Sequence, residues 1–364
     1  MNIITIVVIV FSILGALDRI IGGRFGLGKE FEKGFGLLGA MALSMIGMIV
    51  LTPWLASVLE PVFSLVWKYL HIDPSVVPGM LFANDMGGAP LATQIAVNEQ
   101  VGGFNALIVS SMMGVTISFT IPFALGVVKF ERHKELFLGV LCGIVAIPLG
   151  CLVAGLVLRI PLGALLVDLL PLLIFTGILT FGLLKYPDVC IRIFSGFAVF
   201  IRGLITVGLV IGMIHFLTGK ELVNPISTLE EGAKVCVNAS VVLAGAFPFM
   251  WIVSKLLKKP LCCIGGKLGI NEVSALGFAS TLVSNAPTFG LMYKMDEKGA
   301  VLNSAFSVSA AFVFGSHLAF TMAFDEAYIP AMIVGKIVAG VLAIFVAHYV
   351  YELRKKSAIT REEE

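Results

Sequence analysis

Long runs of apolar residues, separated by short polar connections, fill most of the chain. An α-helix needs about 20 consecutive apolar residues to cross the hydrocarbon core of a bilayer. Runs of this kind predict about nine transmembrane helices, at residues 3–21, 36–58, 104–127, 136–158, 162–184, 194–217, 232–256, 299–324 and 327–350. The pattern therefore predicts an all-α polytopic membrane protein.

Two further apolar stretches, 75–98 and 271–294, are interrupted near their middle. The first contains the run NDMGGAP at 84–90, and the second contains SNAP at 284–287. Backbone groups that such a break sets free must be buried in protein or face a water-filled cavity. We therefore expect two re-entrant or discontinuous segments here rather than plain crossings.

The basic residues give the predicted orientation. With nine crossings, 19 of the 25 Lys and Arg residues fall on one side of the membrane, whereas only Lys68, Arg159 and Lys220 fall on the other. Cytoplasmic loops carry the excess of Lys and Arg in membrane proteins. The N-terminus is therefore predicted to lie outside and the C-terminus in the cytoplasm.

An internal repeat accompanies this pattern. Residues 89–110 slide onto 286–307 without a gap, so that the Ala-Pro pairs of the two interruptions coincide, as do Gly102 and Gly299. The order of elements is also shared, and five crossings precede the second unit. The two units are therefore predicted to form an inverted repeat. Chance similarity between helices rich in Gly and Ala is the alternative.

The repeat predicts how the chain is divided. Residues 1–158 form the first unit with its broken segment 75–98, 159–193 a connecting helix, 194–353 the second, inverted unit with its broken segment 271–294, and 354–364 a cytoplasmic tail. Inverted repeats with paired broken helices are the architecture of secondary transporters, whose substrate site lies near the midplane. Exposed helix ends carry partial charges that can replace the hydration shell of a polar solute.

Polar residues at the two breaks are the candidate substrate-binding residues. They are Asn84, Asp85, Thr93, Gln94, Asn98, Ser284, Asn285 and Thr288. Asp85 stands out because a carboxylate inside the membrane is costly unless it faces a cavity or has a partner. We expect Asp85 to contact the ligand. The alternatives are that it caps the half-helix that follows, or pairs with a buried base such as Lys336.

Composition narrows the class of protein further. Hydrophobic residues make up 58% of the chain and charged residues only 13%, with a mean hydropathy of +1.02, whereas soluble proteins carry about 25% charged residues. The net charge of +2 does not indicate nucleic-acid binding. The six cysteines show no metal-ligand spacing, and no phosphate loop, H-E-x-x-H or G-x-S-x-G motif is present. We predict neither enzymatic activity nor a cofactor or metal.

The two interruptions carry a family resemblance. The run GMLFANDMGGAPLAT at 79–93 and the run GFASTLVSNAPT at 277–288 resemble the EutH-type ethanolamine permeases, and the resemblance extends over the whole chain. It implies a permease of the bacterial inner membrane that imports ethanolamine, by facilitated diffusion or by ion-coupled uptake. It brings no residue-level map of the binding site.

The chemistry of the breaks suits that substrate. Ethanolamine is a primary amine, which is mostly protonated near neutral pH. A carboxylate or carbonyl groups would bind its ammonium group, and an amide or hydroxyl its OH group. The same groups would suit an amino acid, a nucleoside or another amine. A membrane sensor or assembly partner that transports nothing is the alternative from another class, and we expect a homo-oligomer embedded in the lipid bilayer.

Overall fold

The computed structural model describes residues 3–363, except for the side chains of 62–66, 70 and 356–363. The described residues contain helices and turns but no strand. Sixteen α-helices follow one another: α1 (Ile3–Ile20), α2 (Leu27–Gly36), α3 (Leu38–Leu70), α4 (Val76–Leu81), α5 (Gly88–Ile95), α6 (Glu99–Phe104), α7 (Ile121–Val127), α8 (His133–Val157), α9 (Leu162–Lys185), α10 (Pro187–Thr218), α11 (Leu229–Leu268), α12 (Glu272–Val283), α13 (Asn285–Gly290), α14 (Glu297–Ala310), α15 (Ser316–Phe324) and α16 (Ile329–Glu363).

Eight helical spans among the described residues are long and apolar enough to cross a membrane. They are Ile3–Ile20, Leu27–Pro61, Glu99–Val127, Phe130–Val157, Leu162–Lys185, Pro187–Thr218, Leu229–Leu268 and Glu326–Lys355. The predicted all-α polytopic class is therefore confirmed. The ninth predicted span, 299–324, is not a continuous helix, because α14 and α15 are separated by residues 311–315.

The separation of α14 from α15 has a tertiary cause. Phe312 has a left-handed φ of 64°, and its N–H donates to the carbonyl of Thr281 at 3.1 Å. The N–H of Phe314 donates to the carbonyl of Leu282 at 2.9 Å. Backbone groups of this turn therefore find partners at the end of α12 instead of within their own helix. The prediction of one unbroken span was wrong because these partners lie far away in the sequence.

The helix that joins α6 to α7 is distorted as well. Its middle consists of two π-helical stretches, Asn105–Gly114 and Thr116–Thr120. Gly114 allows close contact there, because a Cβ at this position would lie 2.0 Å from the carbonyl oxygen of Phe82. The hydroxyl of Ser118 accepts the N–H of Ala83 at 3.0 Å. We call residues 105–120 the π segment; it supports the break between α4 and α5.

Both predicted interruptions are present in the structure. Helix α4 ends at Leu81, Ala83 is extended, and Gly87 has a φ of 100° before α5 begins. Helix α12 ends at Val283, and Ser284 is extended before α13 begins. At each break, backbone N–H and carbonyl groups therefore lie inside an apolar protein without hydrogen-bond partners in their own helix.

The two ends of each broken segment lie together. The carboxylate of Asp73 accepts the N–H groups of Val97 and Asn98 at 3.1 and 2.9 Å. In the second segment, the N–H of Asn271 donates to the carboxylate of Asp296 at 2.9 Å. In each segment, an acidic side chain therefore links the residues at the two ends by hydrogen bonds.

The helices after each broken segment form the centre of the molecule. Helix α8 packs along both α14 and α16, and the π segment packs against α4 and α5. Helix α11 packs against α1, α2 and α3, and α3 packs against α10. The π segment and α14 are almost fully buried, whereas α9 and α10 expose many large apolar side chains, as expected for faces in contact with lipid.

Candidate functional site

Asp85 lies in a short 3-10 helix of one turn, Asn84–Met86, that separates α4 from α5. Its carboxylate lies beside the hydroxyl of Ser316, and the positive charge of Lys336 acts on it. Ser316 is the first residue of α15, so the partially positive end of that helix also faces the carboxylate. The turn therefore places a carboxyl group next to two sources of positive potential.

Lys336 is the base opposite Asp85. It lies on α16, its side chain is completely buried, and its Nζ donates to the carbonyl of Ser111 in the π segment at 2.5 Å. An isolated ammonium group in such surroundings would be very costly, and a nearby carboxylate offsets that cost. Helix α5 has no side-chain cap. Of the alternatives for Asp85, no capping hydrogen bond is present among the described contacts, and Lys336 acts on the carboxyl group through its charge without forming a salt bridge with it.

Unpartnered polar atoms surround this pair. The side chain of Asn84 is completely buried, and neither its Nδ2 nor its Oδ1 has a hydrogen-bond partner. His317 is buried beside Lys336, and its Nδ1 is also without a partner. Buried polar groups are nearly always hydrogen-bonded in proteins. These atoms can therefore bind a donor or acceptor that enters the site.

The second break contributes one side chain of the same kind. Asn285 is buried; its Nδ2 donates to Thr120 Oγ1 at 3.3 Å, while its Oδ1 has no partner. Thr288 instead donates to the carbonyl of Gly277 at 3.1 Å. Ser284 caps α13 by accepting the N–H of Ala286 at 3.3 Å. Among these predicted residues, only Asn285 retains an unused acceptor.

Three of the predicted residues lie away from the break, at the far end of α5 and beyond. Thr93 and Gln94 are exposed, and the Thr93 hydroxyl donates to the carbonyl of Ala89 within its own helix at 2.9 Å. Asn98 is exposed and caps α6 by accepting the N–H of Val101 at 3.0 Å. A helix of eight residues is about 12 Å long, so α5 separates these side chains from Asp85.

Clefts approach both breaks. One of about 330 Å³ reaches Met86 and Ser118, next to the Asp85 turn. Two further grooves flank the broken segments. The groove between α3 and the first broken segment is lined by Pro53, Ser57, Trp67 and Gln94, and the groove between α11 and the second by Met250, Ser254, Trp251, Ser284 and Pro287. Ser57 and Ser254 are 197 residues apart, the same offset as in the sequence repeat.

A buried carboxyl group in the middle of a predicted span was missed from the sequence. Asp168 lies on α9, is only 3% exposed, and accepts a hydrogen bond from Asn105 Nδ2 at 3.1 Å. The signal was available, because a lone carboxylate within the apolar run 162–184 satisfies the same rule that drew attention to Asp85. Ser316 gave no such signal, because serine is common in apolar helices.

Discontinuous helices that bring a carboxyl group and a buried lysine into a multi-pass α-helical membrane protein indicate the class of membrane transporters. The chain matches the family described as "Ethanolamine utilisation protein, EutH" over residues 1–350, and it belongs to that family. The resemblance found in the two breaks is thereby confirmed.

Its relatives cover nearly all of the chain. It is 42% identical to "Probable ethanolamine permease EutH" of Listeria monocytogenes, over 100% of this chain and 97% of the relative. It is 38% identical to the protein of the same name from Salmonella typhimurium, over 95% and 94%. The "Uncharacterized protein YxeR" of Bacillus subtilis is 36% identical, over 92% and 90%. No solved structure matches the chain significantly.

Proposed function

We propose that this protein imports ethanolamine across the bacterial inner membrane by alternating access, and that Asp85 binds the substrate ammonium group. The partly buried carboxyl group of Asp85 at a helix break, acted on by the charge of the fully buried base Lys336, carries the proposal. A cationic substrate can take the place of Lys336 beside the carboxylate. The names of the relatives, probable ethanolamine permeases, support this choice of substrate.

The unpartnered amides provide the second half of the recognition. Ethanolamine carries a hydroxyl two carbons from its ammonium group, so a site for it needs a polar group near the carboxylate. Asn84 adjoins Asp85 in the chain, and both polar atoms of its side chain lack partners. We propose that Asn84 binds the hydroxyl and that Asn285 contributes when the second break approaches. Solutes without a hydroxyl would then bind more weakly.

Alternating access rests on the paired broken segments. Both are closed by a carboxylate, Asp73 in the first and Asp296 in the second. The helix after each segment is distorted at related places, by the π segment in one unit and by residues 311–315 in the other. These features support an inverted repeat of units 1–158 and 194–353 with two re-entrant segments. Movement of one unit against the other would expose the site to each side in turn.

The proposed orientation is tested by labelling single cysteines from outside. In a variant without native cysteines, Leu222→Cys in the turn between α10 and α11 should react with an impermeant thiol reagent on intact cells. Phe130→Cys, between α7 and α8, should react only after the membrane is opened. Both side chains are exposed, at 58% and 84%. The reverse pattern would contradict both the orientation and the inverted repeat.

Transport itself is tested with purified protein in liposomes. We expect saturable uptake of labelled ethanolamine that protein-free liposomes lack, and unlabelled ethanolamine should compete better than amino acids or nucleosides. Ionophores that collapse proton, sodium or potassium gradients distinguish facilitated diffusion from ion-coupled uptake. Binding of ethanolamine without any uptake would favour a sensor and contradict the proposal.

A further inference from the structure

Asp168 is a buried carboxylate without a cation. It lies on α9, the helix between the two proposed repeat units, and is 3% exposed. Its electrostatic neighbours are Asn105 in the π segment, the carboxylate of Asp73 and the thiol of Cys151 on α8. None of these groups is basic, and no described Lys, Arg or His side chain forms a salt bridge with Asp168. Burial without a counter-ion favours the uncharged, protonated form of a carboxyl group.

The hydrogen bonds around Asp168 lack one donor, which a single proton can supply. Asn105 Nδ2 donates to Asp168 Oδ1 at 3.1 Å. The other two oxygens of this pair, Asp168 Oδ2 and Asn105 Oδ1, are both buried and both lack a donor. A carboxylate and an amide carbonyl can only accept hydrogen bonds. A single proton on Asp168 Oδ2 supplies the missing donor and can satisfy both oxygens at once.

The pair is connected to the broken segment. Asn105 Nδ2 also donates to Ser75 Oγ at 3.0 Å, and Ser75 Oγ donates to Asp73 Oδ1 at 2.6 Å. Asp73 in turn closes the first broken segment through its other oxygen. Ser75 lies in the first broken segment and Asn105 in the π segment that supports it, whereas Asp168 lies on the connecting helix. Displacement of the broken segment together with the π segment would separate the amide from the carboxyl group.

We infer that Asp168 and Asn105 form a carboxylic acid–amide pair that binds one proton and releases it when the first broken segment moves, so that a proton travels with the substrate. The inference rests on the proposed transport function and specifies its coupling. On binding, an O–H bond forms between a proton from water and Asp168 Oδ2. On release, that bond breaks, the electron pair stays on the oxygen, and the proton returns to water on the other side.

The geometry favours symport over exchange. Asp168 contacts Asn105, whereas Asp85 contacts Ser316 and Lys336. The proton and the substrate cation therefore occupy different groups and can be bound at the same time. Exchange would require them to compete for one group.

Protonation can be observed directly by infrared spectroscopy of the protein in membranes at neutral pH. The difference spectrum between the native protein and Asp168→Asn should contain the carbonyl band of a protonated carboxylic acid. Asparagine keeps the shape and can form the same paired hydrogen bonds with Asn105, so the variant should fold. The control is Asp188→Asn, which removes an exposed carboxylate at the start of α10. Absence of the band from the first difference spectrum would overturn the inference.

Coupling of ethanolamine uptake to protons is measured in liposomes whose outer solution is one pH unit more acidic than the inner solution, with the membrane potential held at zero. One proton per solute can support at most about tenfold accumulation, and we expect about three- to tenfold for the native protein and Asp188→Asn. Uncharged ethanolamine that leaks through the lipid accumulates on the acidic side, so leakage cannot imitate this result. Asp168→Asn should equilibrate ethanolamine without accumulating it.

The outcomes separate the two proposals. If the native protein moves no ethanolamine, the proposed function fails. If the native protein moves ethanolamine but accumulates none, or if Asp168→Asn accumulates it as well as the native protein does, the proposed function stands and the role of Asp168 as the proton carrier is refuted.

Discussion

Replacement of Asp85 by Asn should lower the apparent affinity for ethanolamine about ten- to a hundredfold. Asparagine preserves the shape of the side chain but removes the charge that would face the substrate ammonium group. A hydrogen bond to a charged group contributes about 1.5–3 kcal/mol, and each 1.4 kcal/mol corresponds to about a factor of ten in affinity. The measurement is the concentration dependence of uptake into liposomes that contain equal amounts of protein.

The variant should also be obtained in lower yield. Lys336 is completely buried, and a buried base that loses a nearby negative charge is destabilised, by up to about 3–5 kcal/mol where the two groups form a direct pair. In the double variant Asp85→Asn/Lys336→Gln both charges are absent. We expect it to recover the yield but not the affinity. Lys234→Gln on α11 is the control, because that side chain is exposed and should influence neither quantity.

Each explanation of Asp85 gives its own result. If Asp85 binds the substrate, the Asn variant should lose affinity. If Asp85 only compensates the charge of Lys336, the Asn variant should lose yield, and the double variant should restore both yield and transport. If Asp85 caps a helix, little should change, because Asn caps helices about as well as Asp. A well-expressed Asp85→Asn protein with native affinity would remove Asp85 from the site, and with it the main argument for a cationic substrate.

The helix breaks could be found from the sequence because their causes are local. Glycines at 87 and 88 and the prolines at 90 and 287 interrupt stretches that are otherwise apolar. The turn at 311–315 has no proline and depends on hydrogen bonds to Thr281 and Leu282. The π segment likewise carries no local sequence signature. Distortions that depend on distant partners leave hydrophobic patterns unchanged, so 104–127 and 299–324 looked like ordinary spans.

The candidate site was predictable to a similar degree. The carboxylate at 85 and the lysine at 336 were identifiable because a charge within an apolar run needs a partner. Thr93, Gln94 and Asn98 were grouped with them by closeness in sequence, but a helix carries successive residues away from a break, about 1.5 Å for each. The length of α5 therefore separates Thr93, Gln94 and Asn98 from Asp85, although all four are close in the sequence.

Replacement of Gly88 by Val should abolish uptake while protein remains in the membrane. A Cβ at Gly88 would lie 2.4 Å from the carbonyl oxygen of Phe82 and 2.7 Å from that of Ala83. The N–H of Gly88 donates to the Ala83 carbonyl at 2.8 Å, and this hydrogen bond closes the turn around Asp85. A valine side chain would push the same carbonyl away and so open the turn. Overpacking of this kind typically costs about 1–3 kcal/mol, too little to remove a chain with eight apolar spans from the bilayer.

The control for that variant is Gly290→Val in the second broken segment. Gly290 ends α13, and a Cβ there would have no atom within 4 Å, so the same substitution adds the same side chain without a collision. Uptake should persist in Gly290→Val and vanish in Gly88→Val, with protein in the membrane fraction measured for both by immunoblot. Normal uptake by Gly88→Val would mean that the turn can open without consequence. The position of Asp85 would then not depend on the tight backbone that holds it beside Ser316 and Lys336.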